Sequence, residues 1–117
     1  MRMRWAAVAA VLCISLAAAA CGGSKERTPA EAGRIVYMTN CVVCHNANPS
    51  LAGTQGPPIA GSSKELLQAR VLTLQYPPGY TPKRRTHAMR AFPQLKGKID
   101  DLYAFLQEAA RQKRAAN

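Results

Sequence analysis

The chain has 117 residues, with 16 Lys or Arg against 6 Asp or Glu, for a formal charge of +10. That length holds one small domain and excludes a multidomain machine. Its only tryptophan is Trp5, so few large core-formers remain beyond the start; domains this small often depend on a staple, a metal or a cofactor.

Residues 1–20 read as a secretory signal. Arg2 and Arg4 give a positive start, and Trp5 to Ala20 is an uncharged run rich in alanine and leucine. A membrane span wants about 20 strongly apolar residues; an uncleaved anchor is the alternative. "LAAAACGGS" then puts Cys21 after a run of alanines and before Gly22-Gly23-Ser24. This stretch resembles the lipobox of bacterial lipoproteins, although Ala18 stands where leucine is usual; ordinary cleavage after Ala20 is the rival. The resemblance implies lipidation of Cys21, and about two or three acyl chains there would anchor the protein stably, where a single chain binds only marginally. Residues 21–28 form the lipidated N-terminus and a flexible tether, and residues 29–117 form the folded domain. Without Arg2 and Arg4 the balance drops by two charges and stays basic.

The first predicted helix opens at Thr28-Pro29-Ala30-Glu31, an N-cap followed by proline and an acid that completes a capping box. Ala32, Ile35, Val36 and Thr39 recur at helical spacing behind it. The helix runs into "CVVCH", residues 41 to 45. Cys13 lies in the signal and Cys21 is claimed by lipid, leaving Cys41 and Cys44. In an oxidising compartment a vicinal dithiol does not stay idle. A structural zinc site needs four ligands, and beyond Cys41, Cys44 and His45 there is only the distant His87. A thioredoxin-like motif wants a βαβ context, and no strand precedes this one. Attachment of a c-type haem uses all three residues. Two thiols on a short turn add to the two vinyl groups of the porphyrin, and the histidine after Cys44 is held under the ring, within reach of iron.

The second predicted helix begins at Ser62-Ser63-Lys64-Glu65, read as a capping box, and runs through Leu66, Leu67, Ala69, Arg70 and Val71 to end before Pro77. "QYPPGYTPKRRTHA", residues 75 to 88, is a long irregular loop, and such loops are usually functional or disordered. Tyr80, Arg84 and Arg85 are candidates to hold a haem propionate. His87 and Met89 are the candidates for the second axial position; bis-histidine ligation gives a low potential and methionine raises it. Met38 lies too near the attachment turn to reach the opposite face. The last helix is predicted from Gly97 to Arg111, with Asp100 and Asp101 in its first turn and Arg111 near its end, matching the helix dipole. Ile99, Leu102, Tyr103 and Leu106 make its apolar stripe, with Phe105 beside it.

Three motifs in order now carry a resemblance. "CVVCH", "GPPIAG" at 56 to 61 and "MRAFPQL" at 89 to 95 are similar to the attachment motif, the Gly-Pro loop and the methionine-ligand loop of small single-haem class I cytochromes c. The resemblance covers about residues 29 to 108. It implies an all-α fold, three main helices and long loops wrapped around one covalently bound haem c. It also implies His45 and Met89 as axial iron ligands, and a Pro57 carbonyl that accepts a hydrogen bond from His45 Nδ1. Gly33 and Tyr37 would mark the face of the first helix that crosses the last. Arg90 departs from the proline that many relatives carry beside the ligand.

With both axial positions filled, iron has no open site for substrate, so the expected role is electron transfer and not catalysis. The setting expected is a periplasmic or cell-envelope respiratory chain, with a lipid anchor to the periplasmic face of a bacterial membrane, or a soluble periplasmic form. Lys83, Arg84, Arg85, Arg90, Lys96 and Lys98 suggest redox partners with acidic docking patches. Nucleic acid is not an expected partner for an exported, tethered chain. The alternatives are a haem-based ligand sensor and a haem subunit of a larger oxidoreductase complex.

Overall fold

The computed structural model describes residues 22–117. The signal segment and Cys21 lie outside those residues. Residues 22–28 have no regular structure and are exposed throughout. Among the described residues, regular structure starts at Pro29 and comprises three α-helices: α1 (Pro29–Asn40), α2 (Lys64–Thr73) and α3 (Ile99–Ala115). A short 3-10 segment, Pro93–Lys98, leads into α3. The described residues contain no strand.

The capping box at the head of α1 forms in both directions. Thr28 N–H donates to a Glu31 carboxylate oxygen at 2.7 Å, and Glu31 N–H donates to the Thr28 hydroxyl at 3.2 Å. These bonds hold the Glu31 carboxyl below its ordinary value. The buried residues of α1 are Gly33 and Tyr37. They are the pair that the resemblance marks for the crossing with the last helix. Of the apolar recurrence along α1, Val36 packs on the core while Ile35 is 49% exposed.

That glycine explains the main helix contact. A Cβ on Gly33 would overlap the Asp101 carbonyl of α3. The two backbones therefore approach as only glycine allows, and α1 packs chiefly against α3. Tyr37 is fully buried beside the crossing, its ring tilted against Phe105 with centroids 5.3 Å apart. Its hydroxyl donates to the Asn46 carbonyl at 2.6 Å, tying α1 to the chain just after His45. Ile99, Leu102 and Leu106 of α3 join Tyr37, Leu67, Val71, Phe92 and Leu95 in one core. Full burial of an aliphatic side chain is worth about 1.5–3 kcal/mol, so this stripe holds three elements together.

Two helix starts differ from their predicted form. Ser63 caps α2, its hydroxyl accepting from Leu66 N–H at 3.2 Å. Ser62 instead turns its hydroxyl onto the Ile59 carbonyl at 2.7 Å, so the box with Glu65 does not form. At α3, Pro93 and Gly97 favour a tighter turn; residues 93–98 are 3-10, and the α-helix begins at Ile99 and runs on to Ala115. Asp100 and Asp101 do lie in its first turn, while the basic residues of its last turn are Lys113 and Arg114, beyond Arg111. Leu74 closes α2 in the left-handed region, φ 61°, and Arg70 donates a guanidinium N–H to its carbonyl.

Candidate functional site

The attachment turn grows directly out of α1. Cys41 caps the helix, its N–H donating to the Tyr37 carbonyl at 2.8 Å. His45 N–H donates to the Cys41 carbonyl at 2.9 Å, a helical spacing that carries the turn on for one more step. Both thiols are half-buried and not joined to each other. Burial, with Cys44 close by, pushes the Cys41 thiol up to about 11.

The segment after the turn is shaped around the His45 ring. Gly56 is buried against the imidazole, and a Cβ there would collide with the ring. Gly53 lies equally close under the Cys44 carbonyl. His45 Nδ1 is 3.1 Å from the Pro57 carbonyl oxygen, which can only accept, so Nδ1 carries the proton and Nε2 is left with its lone pair. Burial holds the imidazole below its ordinary value, the Pro57 bond opposes that shift, and the Arg84 charge adds to it. At neutral pH the ring is a neutral donor with a fixed tautomer, as metal ligation requires.

Met89 comes from the segment between α2 and the 3-10 turn. Phe92 N–H donates to the Val71 carbonyl at 2.7 Å, fixing the end of the segment against α2. Pro93 and Leu95 then turn the chain into α3, and Met89 packs half-buried on the core. His45, Cys44 and Met89 line one cleft of about 780 Å³, part of it open to solvent. Leu66, Leu67, Val71 and Ile59 give it apolar walls. Mostly apolar walls with a few polar groups are the character of a cofactor site, and an imidazole and a thioether are donors that haem iron takes.

The other sequence candidates divide. Tyr80 and Arg84 line the cleft, Arg85 does not, and His87 is exposed outside it. Cys41 is not among the lining residues; it sits one turn back at the helix end. Three participants escaped sequence reasoning. Arg70 stands 4.5 Å over the Tyr76 ring, and Tyr76 stacks on Tyr80 with centroids 5.4 Å apart, building a polar wall from two elements. Lys83 donates to the Pro58 carbonyl at 2.8 Å across 25 residues. Gly56 was visible as a motif residue, and its proximity to the histidine ring was not.

Neither a curated protein nor a solved structure matches the chain. The family model described as cytochrome c matches residues 30–110, from the start of α1 to within its partner α3. Family membership brings covalent haem c with its iron, and Cys41 and Cys44 stand in the matching C-x-x-C-H spacing. The chain belongs to the cytochrome c family.

Proposed function

We propose that this protein is a single-haem electron carrier with His45 and Met89 as axial iron ligands and Cys41 and Cys44 as the covalent attachment points. The observation that carries the reading is the shared cleft: a neutral imidazole of fixed tautomer and a methionine thioether line it together, and His87 stays outside. Haem iron supplies a one-electron couple when bound. The chain contributes the rest. Pro57 holds the imidazole proton at Nδ1, Gly56 leaves room for the ring, and the apolar walls keep water from the thioether. With both axial donors protein-borne, oxidation and reduction need little rearrangement, and no site opens for a substrate. Tyr80 and Arg84 are the residues placed to meet a propionate.

Export and anchoring complete the proposal. Residues 1–20 act as the signal, Cys21 carries the lipid, and the exposed residues 22–28 tether the 29–117 domain to the periplasmic face of a bacterial membrane, where it serves a respiratory chain. Seven tether residues extend at most about 25 Å, which keeps the haem domain near its membrane partners. Finding the exported protein in the soluble fraction alone would remove the lipid from this reading. Redox partners with acidic patches suit the charge: from residue 66 to residue 99 there are seven Lys or Arg and no Asp or Glu.

Replacing Met89 and His87 separately tests the ligation. Met89→Ala should lose the weak far-red band of iron–methionine bonding, gain carbon monoxide binding, and fall in potential. His87→Ala should keep the band. The opposite pattern would overturn the assignment.

A further inference from the structure

The two prolines after Gly56 offer two carbonyls and no N–H groups. Pro57 receives the His45 imidazole at 3.1 Å, and Pro58 receives the Lys83 ammonium at 2.8 Å. Adjacent peptide carbonyls thus take one hydrogen bond from the histidine and one from the segment that carries Met89, six residues beyond Lys83. Lys83 and Met89 also line the same cleft.

The bond matters because that segment has so little else. Among the described residues, positions 81–91 make no backbone–backbone hydrogen bond. Among the described residues, the Lys83–Pro58 contact is the one hydrogen bond from this stretch to the rest of the fold. On its far side the chain is fixed at Phe92, and on its near side Tyr80 N–H closes a turn onto the Pro77 carbonyl. Between those points only side-chain packing, Met89 on the core among it, adds to the Lys83 bond, and a lift of the backbone would carry Met89 away from the cleft.

We propose that Lys83 is a positioning residue: its ammonium latches the methionine segment to the Pro57-Pro58 strut and so sets how firmly the Met89 thioether is held opposite His45. The proline pair suits the purpose. Its φ angles are locked, so the latch and the histidine share a stiff support, and the Pro58 carbonyl is not needed for any helix. The inference rests on the reading of Met89 as the second axial ligand.

Imidazole in solution competes with a protein thioether for ferric iron, so its apparent affinity reports how often the methionine segment lifts. The oxidised holoprotein is titrated with imidazole while the far-red band is followed. Lys83→Met should bind imidazole roughly three- to tenfold more tightly than the wild type, the worth of one partly exposed hydrogen bond from a charged donor. Lys83→Arg, which keeps a donor of similar reach, should restore wild-type affinity. Lys113→Met removes the same charge from the exposed last turn of α3 and should leave affinity unchanged. A wild-type band with unchanged affinity in Lys83→Met, or an equal change in Lys113→Met, overturns the latch alone. A wild-type spectrum without the band overturns the Met89 reading and the latch with it.

Discussion

At the scale of single residues, the site depends on what surrounds the histidine as much as on the histidine. The attachment cysteines and His45 were legible in five consecutive letters, since the spacing itself encodes the geometry. Met89 was singled out only by its neighbours: "HAM" offers two donors, and the phenylalanine and proline that follow favoured the methionine, which the fold brings to the cleft of His45 while His87 stays outside. Gly56 shows the limit. Its role comes from a ring that meets it across eleven positions of chain, and nothing local announces that approach. Gly56→Ala would force the imidazole or the loop to move, and displacing the ring strains the Pro57 bond. We expect the variant to carry less haem per chain and to show an altered far-red band; a spectrum and haem content equal to the wild type would show that the loop yields freely. Lys83 was read from sequence as part of a basic run, and its bond to Pro58 became visible only in three dimensions.

Among the elements, the head of α1 was the easiest start to read. Thr28, Pro29 and Glu31 fixed the head of α1 because capping is local chemistry, settled within four residues. Its buried face, Gly33 and Tyr37, is the one the resemblance marked for the crossing, and apolar periodicity alone would not single it out, because Gly33 has no side chain and Ile35 is exposed. The 3-10 entry to α3 likewise follows from a proline and a glycine whose joint effect depends on the core they sit against. The crossing of α1 and α3 gives a direct prediction. Gly33→Ala would drive a methyl group into the Asp101 carbonyl, and overpacking of this kind costs about 1–3 kcal/mol. Denaturant unfolding of the holoprotein should show that loss at unchanged m-value. A midpoint equal to the wild type would mean the helices separate without cost.

At the level of the whole molecule, charge and cofactor decide what the fold is for. The acidic residues are largely occupied: Glu31 caps α1, while Asp100 and Asp101 pair with Lys64 and Lys98. Exposed pairs of that sort add little stability. Lys98 apart, the Lys and Arg of the 66–99 stretch have no acidic partner among the described residues, and Lys83 and Arg84 line the cleft. Electron-transfer rate with a purified acidic partner should fall as salt rises, since screening shortens the reach of the field to about 8 Å at physiological ionic strength. A rate indifferent to salt would count against steering. The fold class and the order of the motifs were legible from sequence because a covalent cofactor leaves a fixed signature. The cleft was not, because it is the space left where α2, the attachment turn and two loops meet.

The account turns on a haem joined covalently to Cys41 and Cys44, and intact mass of the purified exported protein in denaturant measures that directly. The predicted result is a chain heavier by one haem, coloured after unfolding, with neither thiol open to alkylation. A colourless chain of polypeptide mass with both thiols reactive would contradict it.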